Sequence, residues 1–416
     1  MKEKKRNNLK TNNMNKVITD KNKINEILER GVEQIFPDKK SLEKLLLSGK
    51  KIRLYNGIDP TGPTLHLGHL VQILKLKQFQ DLGHEVIVLI GDFTAQIGDP
   101  TDKAATRKKL THKEVIKNCQ GYKEQIGKIL DLKKTIFKYN SSWLAKLSFA
   151  DTLELSAYFT AQQTLARDMF KKRIQAGKDL FLHEFLYPLM QAYDSVFMDV
   201  DLEIGGNDQM FNMLAGRTLM KKMKSKEKYV MTTKLLEDST GKKMGKTEGN
   251  MVGLNNSPEE TFGKIMSWSD EFISIGFELC TQISLKEAEE IKKKLKDQKT
   301  NPRDLKMKLA FEIAKLVHGE ARAKEAESYF IKTVQKKEAP DQIKNYKLQI
   351  TNINVVDLFL KAGLVSSKGE ARRLIEQGGI KVNGKAVKDS GKEIKLNKKG
   401  ILLQRGKRQF VKVASK

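Results

Sequence analysis

Leu54-Tyr55-Asn56-Gly57-Ile58-Asp59-Pro60-Thr61-Gly62-Pro63-Thr64-Leu65-His66-Leu67-Gly68-His69 passes from a strand, through a turn, to the start of a helix. Ile52 to Ile58 is an extended run, and Asp59 to Pro63 carries the proline and glycine that stop it. From about Gly68 a helix is expected, with Leu70, Ile73, Leu74, Leu76 and Phe79 spaced to line a buried face. Gly83 sits where a glycine ends a helix. Glu85 to Ile90 then has the unbroken apolar texture of a strand buried on both faces. Strand, helix and strand in this order make a βαβ unit, and open α/β sheets bind ligands beyond the carboxyl ends of their strands. The loop at that end holds His66 and His69, and Gly91 to Lys103 extends toward the same crevice. The expected fold is therefore α/β, with a Rossmann-like parallel sheet.

Far downstream, Lys243-Met244-Gly245-Lys246-Thr247 puts two lysines three residues apart around a glycine. Two imidazoles at a helix start and mobile ammonium groups suit a triphosphate attacked at its α-phosphorus. There, charge accumulates on departing pyrophosphate, and a protein contributes position and electrostatics. Either motif alone has an ordinary explanation in surface histidines or solvated lysines. A histidine pair of this kind also occurs in small nucleotidyltransferases, which are shorter and need no RNA-type domain.

The chain has 416 residues and a net charge of +27, which suggests two or three domains and a polyanionic partner. The charge is concentrated at the ends. Residues 354–416 hold 16 Lys and Arg against 5 Asp and Glu, and residues 1–25 hold 8 against 2. RNA is the first candidate for that partner. Cys119 and Cys280 have no metal-site spacing, so neither zinc nor a disulfide framework is expected, in keeping with a reducing cytoplasm. No apolar run approaches a membrane span, and the Lys/Asn-rich start is not a secretory signal.

Five segments are expected. Residues 1–25 form a disordered basic tail, and 26–254 the sheet domain with both motifs. Residues 255–335 form a helical domain, opened by Ser257-Pro258-Glu259-Glu260 and repeated in the box Ser284 to Glu287. Residues 336–353 form a polar linker. Residues 354–416 form a small α+β domain with a short helix near Val355, a capping box at Ser367 to Glu370 and an Asn383-Gly384 hairpin. Its Lys368, Arg372, Arg373, Lys381 and Lys385 suit an RNA backbone. Tyr187, Gln191 and Asp194 lie at helical spacing on one face.

On these residues the chain resembles the bacterial tyrosyl-tRNA synthetases, a class I family, and within it the subgroup with Gly91-Asp92-Phe93 after the second strand. His66 to His69 is similar to the family's HIGH motif and Lys243 to Thr247 to its KMSKS loop, with Gly245 and Thr247 in place of serines. Residues 354–413 resemble an S4 RNA-binding domain. The resemblance implies a homodimer that joins tyrosine to tRNA(Tyr) through tyrosyl-adenylate, using ATP with Mg²⁺ and no organic cofactor. It implies transition-state roles for His66, His69, Lys243, Lys246 and Thr247. It implies that Tyr55 and Asp194 hold the substrate phenol and that Asp99, Tyr187 and Gln191 hold its ammonium, with Gln209 a further polar neighbour. Asp59, Thr61, Gly68, Gly206 and Asp208 match ATP contacts, and Lys103 and Arg107 match groups that meet pyrophosphate. A tryptophan enzyme of the same fold would not be expected to keep both Tyr55 and Asp194. A non-catalytic RNA-binding descendant would not be expected to keep both histidines and both lysines.

Overall fold

The computed structural model describes residues 17–99, 110–237, 251–297, 300–336, 344–406 and 409–416. The chain divides into two compact units, one ending at Glu320 and the other beginning at Ala321. The first is built on a six-stranded sheet of β1 (Val32–Phe36), β2 (Arg53–Ile58), β3 (Glu85–Ile90), β4 (Thr135–Tyr139), β5 (Leu202–Gly206) and β6 (Tyr229–Thr233). Their order is β1-β6-β5-β2-β3-β4. All neighbours are parallel except β1, which runs antiparallel to β6.

The opening βαβ unit forms as its sequence dictates. Strand β2 pairs in parallel with β3, Tyr55 beside Ile87. The helix between them is Leu67–Asp81, with His66 as its N-cap. Leu70, Ile73, Leu76 and Phe79 are fully buried, and Gly83 reverses the chain at φ +91°. The chain crosses to the other side of β2 in β5, whose Glu203 lies beside Tyr55. Two helices, Leu182–Met198 and Met210–Lys224, pack together next to β5.

Helical structure then begins at Pro258–Met266, where Ser257 and Glu260 form the reciprocal capping box. Later helices cover Phe272–Cys280, Leu285–Lys296 and Pro302–His318. They belong to the same unit as the sheet, so the expected separate domain over 255–335 is not observed; the division falls at Glu320. The expected box at Ser284 is half made. Ser284 caps Glu287 N–H, but the Glu287 carboxylate turns to Lys308 Nζ at 2.6 Å.

The expected tail over 1–25 is also too long. Residues 1–16 lie outside the described residues, but Lys21–Glu29 is a helix capped by Asp20. Its Ile24, Ile27 and Leu28 are at most 2% exposed, enough apolar burial to order it.

The second unit has a five-stranded sheet of β7 (Lys344–Leu348), β9 (Ile380–Val382), β10 (Lys385–Ala386), β12 (Ile401–Arg405) and β13 (Gln409–Ser415), in the order β10-β9-β12-β13-β7. A separate pair joins β8 (Asn352–Asn354) to β11 (Glu393–Lys395). The linker expected over 336–353 is thus corrected, since β7 runs parallel to β13 from Lys344 onward. Its alternating Tyr346 and Leu348, with Ile350 just beyond, are few among polar neighbours, and Leu348 and Ile350 pack against the core of this unit. The Asn383-Gly384 turn is as expected, with φ +47° and +78°. Ser367 caps the helix Lys368–Glu376, but Glu370 returns to Ser366 and Arg405 instead of closing the box. Val355, Leu358, Phe359, Ala371, Ile380, Leu403 and Val413 form this unit's core. Truncating its largest buried ring, Phe359→Ala, should cost about 3–5 kcal/mol. Amide exchange should then accelerate across residues 355–413 while β2 and β3 stay protected.

Candidate active site

Strand β2 delivers its carboxyl end into a loop that neighbouring helices hold rigidly. Pro60, Gly62 and Pro63 carbonyls accept from Asn118 Nδ2 at 2.9 Å, Tyr122 OH at 2.6 Å and Gln125 Nε2 at 3.1 Å. Leu65 N–H donates to Gln125 Oε1 at 2.8 Å. This clamping fixes where the helix Leu67–Asp81 starts. Thr61 is exposed on that loop.

At the helix start the two imidazoles lie 4.0 Å apart, tilted by 54°. His66 Nδ1 accepts from Gly68 N–H at 3.1 Å, and His69 Nδ1 accepts from His66 N–H at 3.1 Å. An imidazole nitrogen that accepts carries no proton, so each ring holds its proton on Nε2. A Cβ on Gly68 would come 2.9 Å from His66 Cε1, so glycine is needed beside the ring.

The lysine motif, Lys243 to Thr247, lies outside the described residues, as do Lys103 and Arg107. The chain just after the motif is described, and it is bound to the histidine loop. Leu67 N–H donates to Val252 O at 3.1 Å and Leu254 N–H to Leu65 O at 2.8 Å, on either side of a bridge between His66 and Gly253. A Cβ on Gly253 would stand 2.5 Å from Thr64 Cγ2, so the close approach needs glycine.

A network of buried polar groups lies on the other side of β2's end. Asp59 accepts from Thr94 Oγ1 at 2.7 Å and from Tyr187 OH at 2.9 Å. Asn140 Nδ2 donates to Thr94 Oγ1 at 3.1 Å and to Asp194 Oδ2 at 3.2 Å, while Trp143 Nε1 donates to Asp194 Oδ1 at 2.7 Å. Asp194 is 2% exposed and burial pushes its carboxyl well up, opposed by those two donors. The shared face of Tyr187, Gln191 and Asp194 therefore points inward. Tyr55 is completely buried, and its hydroxyl lies 2.9 Å from Ser195 Oγ. Burial, then the charges of Glu203 and Asp194, push the Tyr55 phenol well above its ordinary range, so it stays protonated.

Gln191 Nε2 donates to Glu203 Oε1 at 3.0 Å, and Gln209 Nε2 donates to Asp99. Gly206 approaches the Asp208 carboxylate so closely that a Cβ would lie 2.5 Å from Oδ1. Asn56, beside Tyr55, spends its amide on Ile204 O at 2.8 Å, tying β2 to β5. Several participants carried no motif: Thr94, Asn140, Trp143, Ser195, Glu203, Lys228 and Arg167. Arg167 is 8% exposed, its guanidinium stacked 4.6 Å from the Phe211 ring, and neither Nη atom has a hydrogen-bond partner. No pattern flagged the last two: Lys228 lies in a lysine-rich stretch just before β6, and Arg167 is the N-cap residue of the helix Asp168–Gln175.

In the second unit, Arg372, Arg373 and Lys385 are exposed, Lys381 is half-buried, and Lys368 pairs with Asp357 at 2.7 Å. Arg405 is structural there, donating to Leu364 O at 2.6 Å and to Glu370.

Burial, against its two hydrogen bonds, raises the Asp59 carboxyl to about 7, with Asp99 and Asp92 adding to the rise. As pH increases, the unfolded chain gives up this proton first. The group's contribution to unfolding free energy therefore falls from about pH 4 to about pH 7 and is level above. Asp59→Asn removes that dependence. Urea melts from about pH 4.5 to about pH 7.5 should show wild type losing stability relative to the variant, by on the order of 4 kcal/mol at most.

Comparison with known proteins places the chain in a family. Residues 47–335 match the family described as tRNA synthetases class I (W and Y), and residues 356–398 match the S4 domain. A tyrosine–tRNA ligase of Carboxydothermus hydrogenoformans is 46% identical over 397 residues, covering 93% of this chain and 97% of that protein. One from Thermotoga maritima is 43% identical, covering 93% and 96%. Among solved structures, a C-terminally truncated mitochondrial tyrosyl-tRNA synthetase of Coccidioides posadasii superposes with a TM-score of 0.58 at 25% identity, covering 74% of this chain and 91% of that one. The Aspergillus nidulans counterpart shares the fold, with a TM-score of 0.62 at 23% identity, covering 74% and 92%.

Proposed function

The chain belongs to the class I tRNA synthetases of the tryptophan and tyrosine group, among the tyrosine–tRNA ligases, and we propose that it activates L-tyrosine with ATP and transfers the tyrosyl group to the terminal adenosine of tRNA(Tyr). The observation that carries this reading is the buried Asp194 carboxylate, braced by Trp143 and Asn140, close to the Tyr55 hydroxyl. That pair suits a substrate hydroxyl that donates to the carboxylate and accepts from the phenol. Phenylalanine would give neither group its ligand partner in a dry site, and indole would meet an acceptor and a donor where it has only one N–H.

Asp99, Tyr187 and Gln191 receive the ammonium, with Gln209 orienting Asp99. A tyrosine carboxylate oxygen attacks the α-phosphorus, a C–O–P linkage forms, and the bond to the β-phosphate oxygen breaks. His66 and His69 donate their Nε2 protons as hydrogen bonds to the phosphate oxygens. Lys243, Lys246 and Thr247 stabilise the charge on the leaving pyrophosphate, and Lys103 and Arg107 meet it as well. Asp59, Thr61 and Gly68 hold ATP, Gly206 and Asp208 its ribose, and Mg²⁺ enters with the triphosphate. No side chain is asked to form a covalent bond.

A homodimer in the cytosol fits the exposed apolar residues Phe149, Leu153, Phe181 and Leu182, of which Phe149 is 79% and Leu182 84% exposed. Among the described residues no helix is long and apolar enough to cross a membrane. Lys368, Arg372, Arg373, Lys381 and Lys385 are read as backbone contacts to tRNA.

Asp194→Ala is expected to lower kcat/KM for tyrosine about 100-fold in ATP–pyrophosphate exchange, with KM for ATP held. Near-normal tyrosine exchange by that variant would overturn the pocket assignment, and exchange driven by tryptophan in the wild type would overturn the substrate. Replacing Arg372 and Arg373 together with alanine should leave exchange intact without tRNA. In aminoacylation it should raise KM for tRNA and flatten its log–log salt dependence by about 0.8 per lost phosphate contact.

A further inference from the structure

Lys228, next to the start of β6, is completely buried, and its ammonium lies among Glu203, Ser195 and Met213. Room for it comes from Gly216, where a Cβ would stand 2.5 Å from Nζ and 2.9 Å from Ser195 Oγ. An ammonium has three protons and accepts nothing. Here they go to Glu203 Oε2, to Ser195 Oγ at 2.8 Å and to Met213 O at 3.2 Å.

Ser195 is therefore an acceptor toward Lys228 and must place its own proton elsewhere. Tyr55 oxygen lies at 2.9 Å and Glu203 Oε2 at 3.4 Å. Only the first falls in the usual O–H···O range, so Ser195 donates to Tyr55. The Tyr55 hydroxyl has Ser195 Oγ at 2.9 Å, and the Glu203 carboxylate also bonds to it and favours its protonated form. With its oxygen fed by Ser195, Tyr55 keeps its proton, and a pocket ligand competes with Glu203 for it.

We infer that Lys228 fixes the direction of the hydrogen-bond chain through Ser195 to Tyr55, so that the pocket offers its ligand one enforced donor, Tyr55, beside the Asp194 carboxyl. Lys228 and Ser195 are then specificity-determining positioning residues. They do not touch the substrate, and they select a group that accepts a hydrogen bond. This rests on the reading that Tyr55 and Asp194 face the substrate hydroxyl. A reversible chain, with a neutral group in place of the ammonium, would admit a ligand that only donates.

4-Aminophenylalanine separates the two cases, because its ring-conjugated nitrogen donates two protons and accepts poorly. The measurement is ATP–pyrophosphate exchange on the full chain with tyrosine, 4-aminophenylalanine and phenylalanine. The wild type should prefer tyrosine strongly over the amine. Ser195→Ala cuts the relay and leaves the ion pair in place, so Tyr55 can turn and accept an N–H. The tyrosine-to-amine ratio of kcat/KM should fall about tenfold, with KM for ATP unchanged. The double variant Lys228→Gln/Glu203→Gln keeps the volume without an unpaired buried charge and should shift the ratio the same way. A ratio unmoved in Ser195→Ala, even with both substrates slowed equally, overturns the relay. Wild-type use of phenylalanine as readily as tyrosine would instead overturn the pocket reading beneath it.

Discussion

Strand β2 runs parallel between β3 and β5, and the chain changes side of the sheet at this strand. The loops that follow all three strands must therefore emerge at one edge, beside each other. Everything chemical in the first unit depends on that placement. The loop after β2 supplies Asp59, Thr61 and the histidine pair, that after β3 supplies Thr94 and Asp99, and that after β5 supplies Gly206, Asp208 and Gln209. The helix Leu182–Met198 adds Tyr187, Gln191 and Asp194 along its inward face.

Burying so many polar groups in one crevice is costly, and the arrangement answers the cost by sharing partners. Asp59, Thr94, Asn140 and Asp194 form one connected set with Tyr187 and Trp143 at its ends. Each member fixes the next, so removing one disturbs more than one contact. Lys228 and Glu203 lie below as a fully buried ion pair, a device that contributes little net stability but leaves few arrangements open to its neighbours. The directional constraint on Tyr55 is of that kind. Substrates thus meet groups whose orientation was set during folding, which spares the reorganisation that water would demand.

What the sequence made legible follows from the range of the interactions. The helix of the βαβ unit, the Asn-Gly hairpin and the Ser257 box depend on residues within one or two turns of each other, and the structure keeps them. The boxes at Ser284 and Ser367 looked identical in type, yet Glu287 went to Lys308 and Glu370 to Arg405, partners 21 and 35 residues away. A local motif cannot report a competing cation that the fold brings in. Edge strand β7 was unreadable for a related reason: its pairing with β13 is made by backbone groups, which every residue has. In the site, residues on the motif-bearing loops could be placed from sequence, whereas Asn140, Trp143 and Ser195 are defined by what they touch across the sheet.

Part of the site is held before any ligand binds. Both histidines are fixed at Nδ1 by backbone N–H groups, which sets the orientation and tautomer of each ring. The described chain that follows the lysine motif, Val252 to Leu254, is bonded to Leu65 and Leu67 beside His66. A segment tied to the sheet edge at that point gives up less conformational entropy on closing than one anchored only at distant ends. Under the proposed function, the backbone bonds beside His66 would therefore favour the reaction without touching substrate.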